Sequence, residues 1–299
     1  MIRPGQTALK TKESVMKKIK LIFSLILIFS GIALASYPVI SNMLAQKNAS
    51  LAIMEYNAQV ETIQEEKLDA AKEAIRQYNE QLGKAVLTEE ENDSKSAVSR
   101  VELIDAGEIL GYLTIPVIDL NLPVYYGTSA SVLEKGVGYM EETSFPLGGE
   151  STHCVLTGHR GLPSAELFTH MDKVAKGDQF YIHILDEILA YEVDQIKVVE
   201  PELTDDLEII PGKDYTTLVT CTPYSINTHR LLVRGHRVPY TGEEKIKTKS
   251  QIRPAAMARR VLDVWPWFLI MLAGIVILEA AIIAVMLFRR WRKRKNNRK

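Results

Sequence analysis

Thr216-Thr217-Leu218-Val219-Thr220-Cys221-Thr222-Pro223 decides how the central part of this chain is read. Five β-branched or aliphatic residues in a row form a strand, and Pro223 ends it because proline has no N–H to give a sheet. Cys221 is therefore carried to the end of a strand, where side chains become reachable from solvent. Working outward, further strand-like runs fall at 109–115, 118–126, 153–157, 179–184, 189–199 and 230–237. They are rich in β-branched and aromatic residues and separated by Gly, Pro and Asp, which predicts an all-β barrel or sandwich. Short helices are expected at 129–135, ending at Gly136, at 164–169 after Pro163, and at 204–207.

The chain has 299 residues, 46% of them apolar, which excludes a disordered protein. Its net charge of −1 conceals segregation. Of 36 basic and 37 acidic residues, six basic and one acidic lie in 1–20, and eight basic and no acidic in 289–299, leaving 22 basic against 36 acidic between. A middle this acidic argues against nucleic-acid binding, which needs the opposite sign. The basic ends flank two apolar runs. One, Leu-Ile-Phe-Ser-Leu-Ile-Leu-Ile-Phe-Ser-Gly-Ile-Ala-Leu-Ala over 21–35, continues to Ile40; the other covers 264–288, with Trp265 and Trp267 at one edge and Glu279 as its one charge. Each is long enough to span a bilayer, and the positive flanks place both termini in the cytoplasm. The first run also fits a cleaved signal peptide ending at Ala33-Leu34-Ala35. Met16 reads as an alternative start. Glu279 reads as a neutral carboxyl at a helix–helix contact.

These boundaries divide the chain into a cytoplasmic N-terminus (1–20), a transmembrane or signal-anchor helix (21–40) and a helical and linker region (41–104). A β-domain (105–240), a polar tether (241–263), a second span (264–288) and a basic cytoplasmic tail (289–299) follow. Apolar residues at helical spacing from Leu51 to Leu82 predict one or two amphipathic helices, and the acidic stretch 87–108 reads as a linker.

Cys154 and Cys221 are the only cysteines. A free thiol in an outward-facing domain is exposed to oxidation, so it invites a catalytic explanation; a 154–221 disulfide is the alternative. Cys154 sits mid-strand among apolar neighbours, where a thiol is an inert small hydrophobe, so Cys221 is the better nucleophile. Such a nucleophile needs a base. His153 and His183 fall within strands, His170 in a short helix and His236 far along the last strand. His159, in the glycine-bracketed turn Thr157-Gly158-His159-Arg160-Gly161, and His229, close to Cys221 in sequence, remain open. Arg230 begins the strand after Cys221, where its guanidinium could stabilise an oxyanion or pair with a surface acid.

Thr217-Leu-Val-Thr-Cys-Thr-Pro-Tyr-Ser-Ile-Asn-Thr-His-Arg-Leu-Leu-Val-Arg-Gly235 resembles the active-site segment of sortases, in particular the pilin-polymerising class C. Leu156-Thr-Gly-His-Arg-Gly-Leu-Pro-Ser-Ala-Glu-Leu-Phe168 is similar to that family's histidine segment, and Ile115-Pro116, Leu122-Pro-Val-Tyr-Tyr-Gly127 and Gly148-Gly-Glu-Ser151 match its surroundings. The resemblance covers about 105–240. It implies an eight-stranded sortase β-barrel with Cys221 as nucleophile, His159 as general acid/base and Arg230 as oxyanion stabiliser, choosing His159 over His229. It further implies cleavage of a Leu-Pro-x-Thr-Gly-type signal after Thr through a Cys221 thioester. The acyl group then passes to a pilin Lys, or to peptidoglycan if the enzyme anchors proteins to the wall. No cofactor or metal is expected; the partners are sorting-signal proteins, the acceptor amine and membrane lipid, with no nucleic acid. A different class of reading is an inactive, membrane-tethered barrel that binds pilins. Class C relatives commonly cover the cysteine with an Asp-Pro-aromatic lid, but no Pro falls between Pro38 and Pro116 and no aromatic between Tyr78 and Tyr112. An open or weakly gated site is therefore expected; Asp93, Glu102 and Asp105 are substitutes by charge alone.

Overall fold

The computed structural model describes residues 4–88 and 109–242, together with Gly274. All but Gly274 belong to one compact unit, Met1–Lys245. The second apolar run, the basic tail and most of the acidic linker lie outside the described residues.

Two helices precede the sheet, α1 (Pro4–Thr62) and α2 (Glu65–Thr88). The apolar N-terminal stretch and the amphipathic segment after it form one continuous helix, which passes through Pro38 and contains a stretch long and apolar enough to cross a membrane. Beyond that stretch, Ala45, Ala49, Ile53, Tyr56 and Val60 recur every three or four residues and are turned inward. This stripe packs α1 along β1 (Ile109–Ile115) and β2 (Leu120–Tyr126). Tyr56 anchors it: the buried phenol donates to the Leu110 carbonyl (2.9 Å) and accepts from the Leu185 amide (2.7 Å). On α2, the buried Asn79 side chain donates to the Phe145 and Gly148 carbonyls and accepts from the Phe145 amide, fixing the loop before β4.

The remaining strands are β3 (Val137–Tyr139), β4 (Thr152–Thr157), β5 (Gln179–Ile184), β6 (Glu187–Val199), β7 (Asp214–Thr222) and β8 (His229–Val238). They close into a barrel in the order β1-β2-β3-β4-β7-β8-β6-β5. Two pairs, β2–β3 and β4–β7, are parallel and the rest antiparallel. Leu113, Ile115, Val137, Tyr139, Leu156, Phe180, Ile182, Tyr191, Leu218 and Val233 fill the interior. Gly111 permits the tight β1–β5 approach, since a Cβ there would lie 2.1 Å from the His183 carbonyl oxygen.

Some local expectations are corrected. The seven strands read from the sequence omit β3, whose three residues are too short to show a period. The strand expected from 118 begins at Leu120, because Pro116–Ile118 forms a 3₁₀ turn closed by Asp119 in the left-handed region (φ 54°). Residues 164–169 are not helical; the turn forms later, at Met171–Lys173, and His170 only precedes it. The helix expected at 129–135 is a single turn, α3 (Ala130–Leu133).

Candidate active site

Cys221 is the penultimate residue of β7, half-buried, and its Cα partner on β8 is Arg230. Because the two are directly opposite in an antiparallel pair, their side chains leave the same face of the sheet. On the other side β4 runs parallel to β7, with Thr157 level with Val219. That ladder continues past the end of β4: the Gly158 amide donates to the Val219 carbonyl (3.1 Å), and the buried Thr220 hydroxyl donates to the Gly158 carbonyl (2.7 Å). His159 is the next residue, in the loop that leaves the end of β4 beside the part of β7 that carries Cys221. Of the three expected residues, the strand pairing sets Cys221 directly opposite Arg230.

Cys221 and Arg230 are on the barrel's outer face. Cys154, Leu156, Leu218, Leu231 and Val233 point into the main core. The alternate residues Val155, Val219 and Leu232 form a second, smaller apolar cluster on the other face of the sheet, itself buried beneath Met140, Val199 and Leu207. Cys221 follows Val219 by one pleat and so leaves the same face. The β6–β7 connection covers the other part of the face, held where the buried His153 donates from Nδ1 to the Glu208 carbonyl (2.7 Å), while Nε2 meets the Thr217 hydroxyl (2.7 Å). Burial holds the His153 pKa below its ordinary value.

The loop after His159 is tightly built. The His159 carbonyl accepts from the Phe168 amide (3.0 Å), and Gly158 lies so close to the Phe168 ring that a Cβ would sit 2.8 Å from it. Arg160 ties this loop to the cysteine strand. Its guanidinium donates to the Thr222 hydroxyl (3.1 Å) and to the Thr169 carbonyl (3.3 Å) and pairs with Asp172 (3.2 Å), with the side chain only 8% exposed. Nothing in the sequence reading singled out Arg160; its neighbour's glycine bracket drew the attention. Arg230 donates to the Asn227 and His229 carbonyls through Nη1, and no carboxylate pairs with it among the described residues.

The rival residues are placed elsewhere. His229 pairs with Thr222 and, being adjacent to Arg230 on a pleated strand, points to the opposite face. Cys154 is buried, and burial pushes its thiol well up. Both cysteines are free. Cys154 is level with Thr216, five residues from Cys221 along β7, about 17 Å at strand rise and beyond disulfide reach. Asp93, Glu102 and Asp105, the charge substitutes for a lid, lie outside the described residues. No group of His, Cys, Asp and Glu suited to a metal is found among the described residues.

Comparison with known proteins agrees with this architecture. The sortase domain profile matches residues 113–238. Sortase C1 from Streptococcus agalactiae is 44% identical, covering 63% of this chain and 98% of that one with a TM-score of 0.59. This chain belongs to the sortase family. Sortase C from Clostridium perfringens, solved with the C-terminal cell wall sorting motif, is 46% identical over 64% of this chain and 100% of its own, with a TM-score of 0.56. Sortase A of S. agalactiae serotype III is 26% identical over 210 residues, 69% of this chain and 81% of the relative. As a sortase the chain is a cysteine transpeptidase, and its structural neighbours are class C enzymes.

Proposed function

We propose that this sortase cleaves a Leu-Pro-x-Thr-Gly-type sorting signal after Thr and transfers the acyl group to a pilin Lys, building pili. The observation that supports this most is the pairing of Cys221 with Arg230 across β7 and β8, with the loop that carries His159 bonded to the same end of β7 through Gly158. The Cys221 thiolate attacks the Thr carbonyl carbon, and Arg230 stabilises the oxyanion that forms. Protonated His159 gives its proton to the departing Gly amine as the C–N bond breaks, leaving a thioester. A Lys amine then attacks the thioester, His159 takes up its proton, and the thiolate is released. The likeness to sortase C proteins, one of them solved with a sorting motif, supports the substrate class. In this reading the apolar part of α1 and the run 264–288 anchor the enzyme in the cell membrane, with the barrel outside and both termini cytoplasmic.

The test is to incubate residues 42–255 with a sorting-signal peptide and map the adduct by mass spectrometry. A thioester on Cys221 is expected; acylation of Cys154, or persistence after Cys221→Ala, overturns the assignment. In cells, Cys221→Ala should abolish pilus ladders while wall anchoring persists. Lost anchoring with intact ladders would instead mark a wall-anchoring sortase.

A further inference from the structure

The direction in which α1 crosses the barrel says which end of the barrel meets the membrane. At one end of this crossing, the Asn42 side chain accepts from the Glu166 amide (3.0 Å), and the Ser41 hydroxyl oxygen lies 3.2 Å from the Pro163 carbonyl oxygen. Both partners belong to the loop that carries His159. At the other end, Tyr56 holds Leu110 and Leu185, at the start of β1 and the end of β5. From Asn42 to Tyr56 the helix advances about 21 Å, about the length of a seven-residue strand such as β1. The helix therefore runs from the active-site end of the barrel to the opposite end. Residues 21–40 span about 30 Å of helix, the thickness of a hydrocarbon core, so Ser41 and Asn42 emerge at its surface.

The surface that this arrangement turns towards the bilayer is apolar where it protrudes. Ile226, in the β7–β8 loop just beyond Cys221, is 67% exposed, and Tyr224 in the same loop and Val117 after β1 are each 52% exposed. Tyr224 lies against Gly161 of the His159 loop, where a Cβ would meet its ring at 3.2 Å, so the two loops form one continuous rim. An aromatic with a polar tip and an aliphatic neighbour are the residue types that settle at a lipid–water interface.

We infer that the active-site end of the barrel rests on the membrane, with Tyr224 and Ile226 seated in the lipid interface. This rests on α1 being the membrane span. Cys221 then works at the bilayer surface.

Site-directed spin labelling tests the inference on the full chain in phosphatidylcholine–phosphatidylglycerol vesicles, in a Cys221→Ala background where buried Cys154 stays unlabelled. Single cysteines are introduced as Ile226→Cys, Phe29→Cys and Glu150→Cys, and relaxation by oxygen is compared with that by a water-soluble nickel complex. The label at 226 should be relaxed several-fold more by oxygen than by nickel, as should the one at 29, while the label at 150, at the opposite end of the barrel, responds mainly to nickel. A label at 226 that behaves like the one at 150 while 29 remains in lipid overturns the inference and leaves the span intact. A water-exposed label at 29 overturns the span reading and the inference with it. Each labelled protein must melt within a few degrees of the Cys221→Ala parent, and Tyr224→Cys serves as a second reporter if Ile226→Cys does not.

Discussion

Cys221 and Arg230 are Cα partners across β7 and β8, so a thiol and a guanidinium leave the same face of the sheet side by side. Among the described residues no carboxylate pairs with Arg230, whose Nη1 donates only to backbone carbonyls; in the proposed mechanism its guanidinium holds a substrate oxygen. Replacing Arg230 by Ala should lower kcat/KM for a sorting-signal peptide by about 10²–10³. Arg230→Lys should recover little of it, because a point charge on a flexible stem lacks the planar fork. Steady-state transpeptidation with both variants measures this; full activity in Arg230→Ala would remove the guanidinium from the mechanism.

The two thiols should separate cleanly in labelling. Cys221 is half-buried on the outer face, whereas Cys154 is enclosed and held in the protonated form by burial. A small thiol reagent should modify Cys221 in one fast phase and leave Cys154 untouched until the barrel is unfolded. Slow, gated modification of Cys221 would show that some segment covers it, despite the absence of an Asp-Pro-aromatic element.

Arg160 ties the His159 loop to Thr222 on the cysteine strand, which in the proposed mechanism makes it a positioning residue. Arg160→Leu should reduce kcat by about 10–100-fold, as expected when a catalytic group is displaced by an ångström or so, with KM nearly unchanged. Arg160→Lys should restore part of the rate. A rise in KM at constant kcat would place Arg160 in substrate binding instead.

Acid should weaken the outer face through His153. Its pKa is lowered in the folded chain by burial, so as pH falls the unfolded chain takes up a proton first. The stability carried by neutral His153 is present above about pH 6.5, the ordinary histidine value, and is lost as pH falls through it towards the lower folded value. The melting temperature should therefore drop more between pH 7.5 and 5.5 in the native protein than in His153→Asn, which keeps a donor for the Glu208 carbonyl. Parallel pH profiles for the two would assign the acid sensitivity elsewhere.

Removing the Tyr56 hydroxyl strands the Leu185 amide, which is buried with it. Tyr56→Phe should destabilise the domain by about 1–3 kcal/mol, measured by urea unfolding, without changing the rate of Cys221 acylation. An unchanged midpoint would mean that water replaces the phenol.

The legible parts of this chain were those governed by period and by punctuation. β1 and β5 fall at the expected residues because alternation and flanking turn residues both marked them, and Pro223 placed the end of the cysteine strand to within one residue. β3 was invisible because three residues carry no period, and the turn at 171–173 was misplaced because Pro163 opens a loop that Leu167, at a positive φ of 36°, keeps from becoming helical. The competition between His159 and His229 could not be resolved locally. It depends on register: the parallel β4–β7 pairing brings the end of β4, from which the His159 loop leaves, to the cysteine end of β7, while the pleat turns His229 to the other face. Register between strands some 60 residues apart is a property of the closed sheet, which no window of sequence contains. The outer-face placement was missed for the same reason.

That parallel β4–β7 pairing also sets when the thiol becomes dangerous. The loop after β4 reaches the end of β7 only after those two strands have found each other across the intervening β5–β6 hairpin, and Cys221 meets Arg230 only once β8 has been laid down. Such distant pairings are slow to form. Under the proposed mechanism, a newly made chain therefore gains its nucleophilic site only when its own folding is finished.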